Sequence, residues 1–175
     1  MSTKKKRVRI IICIAIISIM LFALYWNVLR FERVRVFGLG QRLIDEYRQY
    51  YHRAVFRPNT MPSPFGSSRH DVYFVRWSGQ RARMVERIES DIHNELDELI
   101  ERHSDIFYRY EISDDFRSVR IYETSSDIYY NWRWRSASEP GNTISRINSL
   151  IGLYHYIKEG DPGGLGRIIT FVESQ

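Results

Sequence analysis

Residues Ile10 to Leu29 form a run of twenty residues without a charged side chain, broken only by the polar Ser18 and Asn27. No other segment restricts this chain as strongly. At ~1.5 Å per residue, a helix of that length reaches roughly 30 Å, the thickness of a bilayer's hydrocarbon layer. The flanks point the same way. Lys4, Lys5, Lys6, Arg7 and Arg9 precede the run, and Tyr25, Trp26 and Arg30 lie at its far end. Cations and aromatic rings favour the headgroup region. These eight residues are the expected membrane interface, and the sequence predicts a transmembrane helix over 10–29.

A cleaved signal peptide fits less well. Its apolar core spans ~7–15 residues and leads into small residues, whereas this run ends in Ala23-Leu24-Tyr25-Trp26-Asn27. Cys13, the single cysteine, reads as a small apolar side chain rather than a lipid attachment site. Five basic residues precede the run, against Arg30, Arg33, Arg35 and Glu32 after it. That bias places the N-terminus in the cytoplasm. The expectation is a single-pass signal-anchor in the cell membrane, with an extracytoplasmic domain outside. That part has no cysteine, which excludes disulfides and thiol chemistry there.

The net charge of +5 and the pI near 9.4 suggest a nucleic-acid binder until the charges are located. The first nine residues carry +5, and the other 166 carry 21 basic and 21 acidic side chains. A neutral domain lacks the phosphate-neutralising surplus that nucleic acid requires, so no nucleic-acid partner is expected. Charge is nonetheless divided. Residues 30–83 hold eleven Arg against four acids, while residues 84–130 hold five Arg against thirteen acids. A basic half of this kind suits anionic headgroups or an anionic cell-wall polymer.

Hydrophobic periodicity divides the rest. Residues 1–9 are a basic tail, 30–57 a juxtamembrane segment and helix, 58–71 a Pro/Gly/Ser loop, and 72–175 an α+β domain. Within 30–57, residues 31–37 alternate as an extended segment. Leu39, Leu43, Tyr47, Tyr50, Tyr51, Ala54 and Val55 then recur at helical steps, which predicts a helix ending near Arg57, before Pro58. Val72 to Trp77 reads as a strand, and Ser78 as a helix cap. Val85, Ile88, Ile92, Leu96, Leu99 and His103 make one apolar stripe of the following helix, opposite many acids.

Three stretches of period two follow, at 106–112, 119–121 and 128–135, joined by turn residues. They read as an antiparallel meander. A second helix from Thr143 and a strand from Ile168 to Val172 complete the pattern. The fold class is therefore α+β, with helices packed on an antiparallel sheet. With 128–135 as a strand the order suggests a cystatin-like sheet. Without it, the order is a ferredoxin-like split.

Few residues carry a chemical signature. The five histidines, His52, His70, His93, His103 and His155, offer no i, i+3 or i+4 pair for a metal. Gly160 to Gly166 is glycine-rich but runs from helix to strand, the reverse of a phosphate loop. Asp114, Asp115, Glu123 and Asp127 are the carboxylates a tethered hydrolase would use, although adjacent acids in a hairpin are ordinary turn chemistry. No catalytic or metal residue and no cofactor is assigned.

The most unusual stretch is Tyr129, Tyr130, Trp132, Arg133, Trp134 and Arg135, whose composition matches interface anchors. It is the candidate interaction surface. The functional expectation is a membrane-anchored binding or assembly module of the cell envelope. Its expected partners are the bilayer through the N-terminal helix, and another envelope protein, cell-wall polymer or a copy of itself. The alternative is the tethered hydrolase.

Overall fold

Period-two patterning builds the first sheet. The computed structural model describes residues 3–58, 68–124, 139–160 and 168–173. Strand β1 (Phe31–Phe37) and strand β2 (Arg53–Pro58) flank a central β3 (Ser68–Val75), both antiparallel to it. Val34 and Val36 of β1 lie opposite Val72 and His70 of β3, and all four are buried. Residues between them in sequence point to the other face, because side chains alternate along a strand.

Helix α3 (Gln80–Arg102) follows β3 after a tight turn. The Ser78 hydroxyl accepts a hydrogen bond from the Gln80 N–H at 3.2 Å and donates to the Val75 carbonyl at 2.6 Å. The expected stripe is present, with Met84, Ile88, Ile92, Leu96 and Leu99 buried. Met84 rather than Val85 is its first fully buried member. Trp77 in the preceding turn has φ 58° and is 83% exposed. A left-handed conformation costs an L-residue ~1–2 kcal/mol, which Asn tolerates better. Trp77→Asn is therefore expected to raise stability by about 0.5–1 kcal/mol, measured by urea denaturation.

A second sheet has the order β4-β5-β6, from β4 (Phe107–Ile112), β5 (Val119–Glu123) and β6 (Ile169–Glu173). Strands β4 and β5 form an antiparallel hairpin, whereas β5 and β6 are parallel. Parallel neighbours need a crossover, and helix α4 (Glu139–Glu159) supplies it. It begins four residues before the expected Thr143. Helices α3 and α4 pack on each other, α4 also touches β1, and α3 touches β3 and β4. One buried apolar cluster joins both sheets and both helices, with Tyr154 and Phe116 rings 4.7 Å apart inside it.

Four expectations are corrected. The α+β class stands, but two three-stranded sheets replace the single antiparallel sheet, so neither the ferredoxin-like nor the cystatin-like order describes it. The expected third meander strand, 128–135, lies outside the described residues. The helix expected up to Arg57 stops early. Helix α2 spans Gln41–Glu46, a 3-10 turn covers Arg48–Tyr50, and Arg53–Pro58 is β2. The Tyr51 hydroxyl donates to the Ile44 carbonyl at 2.8 Å, satisfying a carbonyl at the helix end. Ala54 and Phe56 then pair with Val72 and His70 on the inward face of the sheet. The Pro/Gly/Ser loop is also shorter than expected, since Ser68–Asp71 already belong to β3.

The fourth correction concerns the apolar run. Helix α1 spans Thr3–Leu24, and Tyr25–Leu29 winds as a wider π-turn. The charges through Arg9 lie inside α1, which leaves Ile10–Leu24, fifteen residues, as its apolar part. At ~1.5 Å per residue this is about 22 Å, short of the roughly 30 Å of hydrocarbon. Among the described residues no helix is long and apolar enough to cross a membrane. The transmembrane helix, the signal anchor, the single-pass topology and the placement of the domain outside the cell are corrected with it.

Tyrosines tie the elements together. Tyr47 donates to Asp91 at 2.8 Å and Tyr110 to Asp97 at 2.8 Å, each linking another segment to α3. Burial first, then the neighbouring carboxylate, pushes Tyr110 up to about 12. Burial, then Asp45, pushes Tyr51 up to about 12, and burial with Asp91 raises Tyr47 further. The folded state holds these phenols neutral above their ordinary pKa. Their contribution is full below about pH 10 and is lost as pH rises toward about 12. Phenolate absorbance is expected to show part of the 12 tyrosines titrating only together with unfolding.

Candidate interaction surfaces

Among the described residues, the carboxylates considered for hydrolysis are not brought together. Asp115 sits in the β4–β5 turn, accepting hydrogen bonds from the Ser113 hydroxyl at 2.6 Å and the Arg117 N–H at 3.0 Å. Those two bonds hold its pKa below the usual carboxylate range. Asp114 is exposed in the same turn. Glu123 is buried at the opposite end of β5, and Asp127 lies outside the described residues. Among the described residues, a hairpin turn and a strand end separated by β5 do not make an acid–base pair, and the membrane tether of the hydrolase reading is corrected with the transmembrane helix.

Three of the histidines serve the core. His155 is buried, with Nε2 3.2 Å from the Phe116 carbonyl and Nδ1 3.0 Å from Glu159. His70 is buried with Nε2 3.2 Å from the Leu39 carbonyl, and His93 stacks edge-on to Phe116 at 5.6 Å. The candidate surface Tyr129, Tyr130, Trp132, Arg133, Trp134 and Arg135 lies outside the described residues.

Arg7 and Arg9 are exposed within α1. Trp26 stacks on Phe22 at 5.7 Å, and the Arg30 guanidinium lies 4.0 Å from the Trp26 ring centre. Arg30 thus folds back over the π-turn as a cation–π contact. Lys4, Lys5 and Lys6 belong to the first turns of α1, and Tyr25 opens the π-turn.

Helix α1 presents the first surface. From Ile10 to Leu24 its large apolar side chains are 50–68% exposed, on every side of the helix. A helix apolar all round is normally enclosed. Here its principal contact is with the π-turn that follows it. Its spacing contains a heptad seam: Ile10, Ile14, Ile17, Leu21 and Leu24 recur at alternating steps of four and three. Sequence reasoning found the run but counted it as a span.

A groove of about 430 Å³ lies between α2 and α4, lined by Gly40, Arg42, Leu43, Glu46, Arg146 and Ser149 among others. Of its two guanidiniums, that of Arg146 is already engaged. Arg146 binds Glu46 through two nitrogens, at 2.6 and 3.1 Å, and Glu95 through Nε at 2.5 Å. Arg146 holds the Glu46 carboxyl below its usual range. The groove is a clasp joining α2, α3 and α4.

The outer face of the first sheet was not foreseen. Register places Arg33, Tyr73 and Arg53 in one row across the three strands, Arg35, Asp71 and Val55 in the next, and Phe37, Arg69 and Arg57 in a third. Glu32 falls on the opposite face and pairs with Arg81 of α3. Asp71, the one acid in these rows, is buried 3.9 Å from Arg69. Arg33, Arg35 and Arg53 are exposed, and among the described residues no carboxylate pairs with them. The signal was present in the alternation of Phe-Glu-Arg-Val-Arg-Val-Phe, where a period of two sends both valines inward and both arginines outward. No family model, curated protein or solved structure matches this chain.

Proposed function

We propose that this chain is an assembly module, whose copies associate through α1 and so gather several α+β units. One observation carries the reading: an apolar helix, exposed on all sides, that the chain's own core does not cover. Soluble monomers rarely expose contiguous apolar area on this scale. Isoleucine at Ile10, Ile14 and Ile17 of the seam favours three or four strands over two. A bundle of that size covers a helix from several directions, which suits apolar residues on every side.

Sedimentation velocity of the full chain tests this, beside flotation with phosphatidylglycerol–phosphatidylcholine vesicles. Trimers or tetramers at micromolar concentration are expected, with the chain left at the bottom of the flotation gradient. A monomer in solution, or a chain that floats with the vesicles, would overturn the reading.

A further inference from the structure

We propose that the outer face of the first sheet binds a flexible phosphate-bearing polyanion through Arg33, Arg35 and Arg53. Arginine's planar fork matches phosphate oxygens bidentately. The spacing suits a chain of phosphates better than one phosphate. Arg33 and Arg35 are two residues apart on β1, about 6.8 Å at ~3.4 Å per residue. Arg33 and Arg53 flank Tyr73 two strands apart, about 9.6 Å at ~4.8 Å per strand. The three guanidiniums stand on a sheet whose one acid in these rows among the described residues, Asp71, is buried beside Arg69, and the acid of β1 is turned to the other side.

The aromatic rings on this face are already covered. The Arg53 guanidinium lies 4.6 Å from the Tyr73 ring centre, and that of Arg69 lies 5.6 Å from Phe37. His52 stacks on Phe31 at 4.4 Å. A base seeking an aromatic platform must first displace these groups. Cation–π stacking instead holds the guanidinium of Arg53 in place while its N–H edges stay available. Recognition is therefore of phosphate and not of bases, and it is independent of any sequence.

The test measures binding of the full chain to inorganic polyphosphate by fluorescence anisotropy over a range of salt. Three guanidiniums predict a log–log slope of about −2 for a single-stranded polyanion. Arg33→Gln with Arg53→Gln is expected to weaken binding about tenfold or more and to flatten the slope by about 1.4. Arg35→Gln with Arg53→Gln and Arg33→Gln with Arg35→Gln serve as the other two pairs. Replacing Lys4, Lys5 and Lys6 by Gln removes more charge and is expected to cost less affinity. None of the arginines lies on α1, so loss of assembly and loss of polyanion binding are separable. The proposal is overturned if the lysine variant loses more affinity than the arginine pairs. It is equally overturned if oligothymidylate is preferred to polyphosphate of equal charge, or if anionic vesicles bind while free polyphosphate does not.

Discussion

Leu96→Ala is expected to lower the stability of the α+β unit by about 3 kcal/mol, within the ~2–5 kcal/mol seen for deleting a buried leucine side chain. Leu96 sits in the middle of the α3 stripe and is fully buried. Ile92 and Leu99 lie beside it on the same face, one turn away on either side. This stripe faces α4, β3 and β4, so the cavity opens where helix pair and sheets meet. Close-packed neighbours relax only partly into such a space. Urea denaturation followed by circular dichroism should show a lower midpoint with an unchanged slope. Asn94, exposed on the same helix, provides the control. Asn94→Ala is expected to change stability by under about 0.5 kcal/mol, as surface substitutions do. Equal effects of the two substitutions would show that α3 does not carry the core.

The legible parts of this fold are those where one period dominates a long segment. Helix α3 has its stripe at steps of three and four over 23 residues, so the helix and its buried face follow from sequence alone. Strand β1 is short, but strict alternation of valine and arginine sorts its faces. Where two periods compete, local pattern misleads. Leu43, Tyr47, Tyr50 and Tyr51 keep helical spacing across a real helix end, and the strand that follows is decided by pairing with β3. The parallel pairing of β5 with β6 is a choice between distant segments, which no local period encodes. The apolar run shows a different limit. Composition counts apolar residues, whereas the backbone changes from α to π winding at Tyr25, and only the α part keeps the 1.5 Å rise assumed.

Charge shows why a total conceals a site. Residues 10–175 sum to zero, and on that ground no nucleic-acid partner was expected. Register then separates what the sum had merged. Strands β1, β2 and β3 send Arg33, Arg35, Arg53 and Arg69 to one face, while acids of α3 pair with arginines of the helices, as Asp91 does with Arg87 of α3 and Glu95 with Arg146 of α4. A neutral domain carries a cationic face whenever its two signs are sorted onto different elements, and phosphate recognition depends on the local face.

Ile14→Lys with Ile17→Lys is expected to abolish assembly through α1, giving a monomer at concentrations where the parent chain is a trimer or tetramer. Both residues lie on the heptad seam and are more than half exposed in the single chain. In an assembled bundle they would be enclosed by other copies, and each lysine would lose its water without gaining a partner. An unpaired buried ammonium costs several kcal/mol, and three or four copies each bring two. The variant's α+β unit should keep its unfolding midpoint, because neither position belongs to the buried core. Ile14→Leu with Ile17→Leu preserves apolar volume and is expected to keep the chain assembled. Salt provides an independent sign. A parallel bundle gathers the five basic residues of each tail, and an antiparallel one sets those tails against Arg30, Arg33 and Arg35. Either arrangement brings like charges together, so screening favours assembly. Sedimentation is expected to shift toward the larger species as salt rises from low to physiological strength. The opposite shift, with the parent dissociating in salt, would mean that charge pairing and not the apolar helix holds the copies together.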